Sequence, residues 1–412
     1  MNAIASRLVD IAPLTGSADF RRLWFGTTFQ AFGTKFTSLA VLYQVWDLTH
    51  DPFWTGFVGL TAALPAIVFG LSGGAYADAV DRRAIVLWTT AGAMAVSLML
   101  AVQAALGLKS LPLLFLLAAL QGAFVSFGRP ARKTFIPHLL PPHQIAAGVA
   151  LMHSSFQASL LAGPALAGLV IGRWGVTTCY MLEALAFCAA FYGIMGLPRM
   201  QPLGTSPERG VRAIIEGLRF AKSRPLLSGS LLSDLAATLL AMPIALFPAI
   251  NQEKFGGSPE TLGLFLSAIA VGGISASMLS GWLTRRTDIG RVQLVAAACW
   301  GTALLGAGLA GELWSILACL AIAGAADTIA VIARGALLQI VTPDAYRGRL
   351  SAVELVAGLA GPELGNFRAG LMATYVSPLA VLAVGGLSCL VAVSAIAARS
   401  PELWRFSTTG RD

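Results

Sequence analysis

Ser72-Gly73-Gly74-Ala75-Tyr76-Ala77-Asp78-Ala79-Val80-Asp81-Arg82-Arg83 joins two long apolar runs, and its reading decides the fold class. Asp78, Asp81, Arg82 and Arg83 place four charges in six residues. A single charge at the centre of a helix in hydrocarbon already costs at least ~2.5 kcal/mol. The stretch is therefore a short polar loop at a membrane face. The glycines before it let the preceding helix pack closely on a neighbour, and Asp78 and Asp81 are placed to cap or tether helix ends beside Arg82 and Arg83.

Outward from this loop the chain is apolar. Of its 412 residues 56% are hydrophobic and 12% are charged, about half the charge of a soluble domain. The apolar runs are ~20 residues long, enough to cross ~30 Å of hydrocarbon as helices, and a helix satisfies its own backbone there. The ten-residue alternation of a membrane barrel is missing from the sequence. An all-α integral membrane protein is expected. The net charge of +8 does not imply nucleic acid, because the basic residues punctuate the apolar runs instead of gathering with aromatics on a polar face. The five cysteines lie inside apolar segments without metal-ligand spacing, so neither a metal site nor a disulfide framework is expected. No phosphate-binding Gly-x-x-x-x-Gly-Lys loop and no nucleophile-base constellation is visible, which argues against an enzyme and against any cofactor.

Twelve spans are expected, over residues 22–46, 54–77, 84–107, 111–129, 145–172, 176–197, 226–250, 259–283, 291–311, 313–333, 350–372 and 376–398. With connections assigned alternately to two sides, all but five of the 28 lysines and arginines fall on one side; Lys109, Arg173 and Lys254 fall on the other, and Lys35 and Arg368 lie within spans. The positive-inside rule makes both termini cytoplasmic. The N-terminal Met1 to Phe20 lacks a cleavable signal pattern and reads as a cytosolic arm. The domain division expected is 1–198 for six helices, 199–225 for a cytoplasmic linker, and 226–412 for six more. In the linker Ile214, Ile215, Leu218 and Phe220 share a face beside Arg212, Arg219 and Lys222, a pattern that suits either a helix on the membrane surface or a plain linker helix.

The halves repeat each other. Gly74 to Arg83 has a counterpart in Gly281 to Arg286, Arg132 and Pro141 in Arg334 and Pro343, and Gly163-Pro164 in Gly361-Pro362, at offsets of 207, 202 and 198 residues. Two related six-helix bundles with a path between them follow. On Gly74, Ala77, Asp78, Arg82 and Arg83 the opening stretch resembles the loop between the second and third helices of the major facilitator superfamily, with Ala79 where that family usually carries arginine. Phe127-Gly128-Arg129-Pro130-Ala131-Arg132-Lys133-Thr134 is similar to a segment of the branch of enterobactin (siderophore) exporters and drug-efflux proteins. Gly163-Pro164-x-x-x-Gly168 is similar to an antiporter motif, with Ala167 replacing one glycine.

The resemblance implies a proton-coupled secondary transporter of the bacterial inner membrane, driven by the proton motive force. It would export a siderophore or drug-like small molecule by alternating access, as a monomer in the lipid bilayer. A nutrient importer or facilitator of the same fold and a non-transporting membrane sensor or assembly partner stay open.

The intramembrane polar residues are the candidates for proton coupling or cargo contact. Lys35 is mid-way along the first span with Gln30 and Gln44, and is costly there unless it meets a wet cavity or a carboxylate. Asp234, in the pseudo-symmetric seventh span, is the partner expected for it; a carboxylate capping a helix distortion is the bland alternative. Glu363 and Arg368, five residues apart in the eleventh span, lie about 140° apart on a regular helix, so a direct pair would need Pro362 to perturb the local geometry; otherwise at least one faces another helix. Glu183 and Asp327 are further buried carboxyls, and Asp327 is close enough along its helix to pair with Arg334. Glu354 reads as part of a structural salt bridge. Arg129, Arg132 and Arg334 are expected to join Asp78 and Asp81 in a cytoplasmic gating network, the alternative being anchorage at lipid head groups.

Overall fold

The computed structural model describes residues 10–77, 80–200, 211–278 and 286–407, without the side chains at 70–77, 211–213 and 345. Asp78 and the repeat at 281–285 lie outside the described residues, and Gly74 falls in the last turn of a helix.

Among the described residues nine helices are long and apolar enough to cross a membrane. One of them, Pro142–Met195, has 54 residues and would be ~80 Å long if straight. It is broken at Gly175, whose φ of 79° and ψ of 171° end one helix and aim the next; glycine takes that left-handed φ without steric cost. Two more helices, Ala18–Thr49 and Asp344–Ala373, have the length but not the apolarity. They are the helices that carry Gln30, Lys35 and Gln44, and Glu354, Glu363, Asn366 and Arg368. Splitting the long helix and adding these two gives the twelve expected spans.

They are α1 Ala18–Thr49, α2 Pro52–Ala77, α3 Arg82–Ala105, α4 Leu111–Lys133, α5 145–174 and α6 176–195, then α7 Pro225–Phe255, α8 Pro259–Met278, α9 Ile289–Leu309, α10 Leu313–Val341, α11 Asp344–Ala373 and α12 Pro378–Arg399. Several run past the boundaries expected from the sequence. α4 continues through Arg132, and α10 continues past Arg334 to Val341, because an arginine interrupts an apolar run without interrupting a helix.

The chain forms two compact units, one of residues 1–44 and 64–207 and the other of 45–63 and 208–412. In the first, α3 packs on α4 and on the α5–α6 pair. Its start is latched where the opening stretch ends. The Asp81 carboxylate accepts from the amides of Arg83 and Met200 at 3.0 Å each, and Arg82 donates its amide to the Met200 carbonyl at 3.1 Å. The Arg83 guanidinium reaches the carbonyls of Ile194 and Met195 at the end of α6. Asp81 caps α3 as expected, and its partners are backbone groups of its own unit; among the described residues it makes no ion pair with Arg129 or Arg132.

In the second unit α10 packs on α8 and α9, and α9 on α12. A Cβ at Gly272 of α8 would strike the Ala321 carbonyl, and one at Gly324 of α10 would strike that of Ile269, the small-residue approach of membrane helices. The linker helix Val211–Lys222 lies on the start of α11. Phe220 stacks on Tyr346 with centroids 4.2 Å apart, and Arg349 pairs with Glu216 at 2.9 Å. Its Ile215 and Leu218 stay exposed.

Candidate functional site

α7 does not run straight. It stops at Ala241, turns through Met242 and Pro243, and resumes after a short 3-10 segment. Proline withholds an amide and frees main-chain groups, which inside a bilayer must find other partners. Arg368 of α11 donates to the Leu240 carbonyl at 2.5 Å, Asn366 accepts from the Ala245 amide at 3.2 Å, and Thr55 of α2 donates to the Ala245 carbonyl at 2.8 Å. Arg368 therefore mends the break in α7. Asn366 also donates to Glu363 at 3.1 Å, and Glu363 packs against Gly59 of α2. As their spacing implied, Glu363 and Arg368 meet different neighbours.

One stripe of α10, Asp327, Ala330 and Arg334, faces Ser233, Asp234 and Ala237 of α7 and Gln293, Ala297 and Trp300 of α9 across a cavity of about 10 Å3, the room of a single water centre. Arg334 forms an ion pair with Asp234 and a second with Glu354 of α11 at 3.3 Å. Gln293 fixes this part of α7, donating to the Ser230 carbonyl at 2.9 Å and the Ser233 hydroxyl at 2.8 Å while accepting from the Ser230 hydroxyl. Asp327 lines the same cavity, is itself exposed, and has no ion pair or hydrogen bond among the described residues.

Three expectations are corrected here. Asp234 takes Arg334 as its ion-pair partner, where pseudo-symmetry had pointed to Lys35. Arg334 serves this carboxylate cluster instead of a network with Asp81, because α10 carries it past the point where the apolar run was taken to end. Asp327, expected to pair with Arg334, stays unpaired beside it.

The first unit is arranged differently. Glu183 of α6 is fully buried and accepts from Thr37 of α1 at 2.5 Å and from Ser97 of α3 at 2.8 Å, and Gln121 of α4 donates to Ser97 at 3.0 Å. Its second oxygen has no partner among the described residues. One helical turn away on α6, Tyr180 donates to Gln44, which also accepts from Gln103. A carboxyl thus joins four helices through hydroxyls and an amide. The sequence singled out Glu183 and Gln44 but not Thr37, Ser97 or Gln121; Gln121, a lone amide in an apolar run, was the available signal.

Lys35 makes no ion pair among the described residues. Its Nζ lies 5.7 Å from the centroid of the Phe156 ring on α5, and Gly163 makes room for its stem. Arg132 donates to Gln30 and to Thr90, the latter at 3.2 Å, and Arg129 makes no ion pair or hydrogen bond among the described residues. Pro164, next to Gly163, is buried inside α5.

The model of the transmembrane secretion effector family, within the major facilitator superfamily, matches residues 9–406. The chain belongs to that family. Curated relatives include the enterobactin exporters EntS of Escherichia coli O127:H6 and of Shigella boydii serotype 18, each 24% identical over 408 residues and covering 98% of this chain and 97% of the relative. Among solved structures the nucleoside transporter NupG has a TM-score of 0.76 at 13% identity, covering 93% of this chain and 99% of its own. A bacterial homologue of the iron transporter ferroportin has a TM-score of 0.71 at 17% identity, with 93% and 98% covered. Both share the fold. This member of the family is a multi-pass membrane transporter and not an enzyme.

Proposed function

We propose that the chain is a proton-coupled exporter of the bacterial inner membrane. It would carry a siderophore or drug-like molecule by alternating access, as a monomer with both termini cytoplasmic. Its similarity to enterobactin exporters over almost the whole length supports export, and the charge asymmetry of the connections supports the orientation.

The observation that carries proton coupling is the Arg334 cluster: one buried arginine, two carboxylates paired with it and a third, Asp327, unpaired at the same cavity. A proton arriving on Asp234 releases Arg334, and Asp327 stands ready to receive it. Proton binding thereby changes which of α7, α10 and α11 are tied together. A ligand shifts a conformational equilibrium only by binding its states unequally, and such an exchange of partners gives the proton that leverage.

The test uses the purified full chain in liposomes loaded with a pH dye and offered catecholates, hydroxamates and hydrophobic drugs in turn. One class should drive proton movement, and Asp234→Asn and Asp327→Asn should each abolish it. Flux without proton movement would retire coupling in favour of a facilitator of the same fold. Binding without flux would leave a membrane sensor.

A further inference from the structure

The first unit contains a cationic cluster that no described carboxylate of that unit neutralises. Arg129 and Arg132 are one turn apart on α4, close enough to share a face, and Lys35 and Arg132 both lie within electrostatic range of Arg129. Arg132 is held by the neutral groups of Gln30 and Thr90. Lys35 and Arg129 make no ion pair or hydrogen bond among the described residues.

The described carboxyls of this unit are accounted for elsewhere: Asp10, exposed ahead of the first helices, accepts from the Ala12 amide at 2.9 Å. Asp81 caps α3 and Asp19 lies in the first turn of α1, ~24 Å along the helix from Lys35 at 1.5 Å per residue. Glu183 is bound by Thr37, which follows Lys35 by two residues and so points about 160° away from it around α1. Lys35 faces α5 instead, under Phe156, whose ring is 47% exposed. Three cations in spanning helices without a described counter-charge in their unit are costly, and an anion entering among them gains what those described groups do not supply. Arginine's planar fork matches a carboxylate or similar oxyanion, and the exposed ring beside Lys35 offers an apolar face to the rest of the molecule.

We propose that Lys35, Arg129 and Arg132, with Phe156, form the cargo subsite of the first unit and that the cargo is an organic anion. This rests on the reading of the chain as a small-molecule transporter. It does not depend on proton coupling.

The test is thermal unfolding of the purified full chain in an uncharged, phospholipid-free detergent. The probes are salicylate and benzoate, with benzyl alcohol and benzylamine as the neutral and cationic counterparts. The two anions should raise the unfolding temperature with concentration, and the counterparts should not. Lys35→Gln and Arg129→Gln remove side chains with no hydrogen bond, so the fold should persist while the apparent affinity falls roughly 10- to 100-fold, the scale of a charged hydrogen bond; Arg129→Lys should retain more.

Equal stabilisation by all four probes, or variants that bind the anions as the parent does, would overturn the proposal. Stabilisation by phosphatidylglycerol alone, with none from the free anions, would make this a lipid head-group site and overturn it too. In liposomes, anion flux without proton movement would sink the coupling mechanism and leave this subsite standing, while proton movement driven only by cations would do the reverse.

Discussion

Among the described residues of the first compact unit three cations stand without a carboxylate and one carboxyl, Glu183, stands without a cation; in the second a single arginine is shared by Asp234 and Glu354 with Asp327 beside it. Two bundles related by an internal repeat have therefore placed charge in opposite ways. The second unit can exchange partners internally, so a proton is enough to change its ties. The first leaves its positive charge without a described counter-charge of its own, and buries its carboxyl among hydroxyls.

The largest effect should come from breaking the shared arginine. Arg334→Gln leaves Asp234, 13% exposed, without its counter-charge and Glu354 without its ion-pair partner, and breaking one side of a largely buried pair costs ~3–5 kcal/mol. The unfolding midpoint of the purified chain should fall steeply, and adding Asp234→Asn should recover part of the loss, a coupling that a double-mutant cycle would measure. Strictly additive effects of the two changes would mean the pair does not work as a unit.

Next comes Glu183. Alanine removes the acceptor that Thr37 and Ser97 share and leaves a void, a combined loss of about 2–4 kcal/mol. Glutamine keeps the shape and one acceptor, so Glu183→Gln should stay within ~1 kcal/mol of the parent in the same unfolding assay. A glutamine variant as unstable as the alanine would mean that negative charge, not hydrogen bonding, holds the four helices there.

At Lys35 the sign should reverse. Lys35→Met removes from a spanning helix a cation with no ion pair among the described residues and keeps an unbranched stem against Gly163. The unfolding midpoint should rise, by the equivalent of about 1 kcal/mol, while transport falls, the usual trade at a functional site. If Lys35→Met destabilised as Arg334→Gln does, the two units would not differ in the way described.

The span pattern was legible because hydrocarbon thickness and backbone satisfaction leave few alternatives. Even α1 and α11, whose polar residues lower their apolarity, were readable from the charge asymmetry around them. The partners were less legible. Pseudo-symmetry put Lys35 with Asp234, but pairing depends on which stripes of neighbouring helices meet, and the stripe Asp327, Ala330, Arg334 meets α7. Arg334 was taken as the end of its span because charge marks a membrane face on average; Leu337 and Leu338, buried just beyond it, were the sign that the helix goes on. The five-residue spacing of Glu363 and Arg368 did show that they part, but the break in α7 that Arg368 mends shows in the sequence only as Met242-Pro243 inside an apolar run.

The smallest effect should come from a pair on the same helix that receives Arg334. At the start of α11, Arg347 meets Asp344 at 2.7 Å, with the two side chains 56% and 88% exposed, whereas the Arg334 side chain that reaches Glu354 from α10 is 8% exposed. Exposed pairs three residues apart gain little over solvation by water. Arg347→Ala should therefore change stability by no more than ~0.5 kcal/mol, and that difference should vanish in 1 M salt, where the screening length is only about 3 Å. Most of the loss from Arg334→Gln should survive the same salt, because the Arg334 and Asp234 side chains are only 8% and 13% exposed to screening ions. Unfolding both variants at low and high salt separates the two cases. A salt-sensitive Arg334 would mean that water and ions reach the cluster freely, and that its partners are set by solvent more than by a proton.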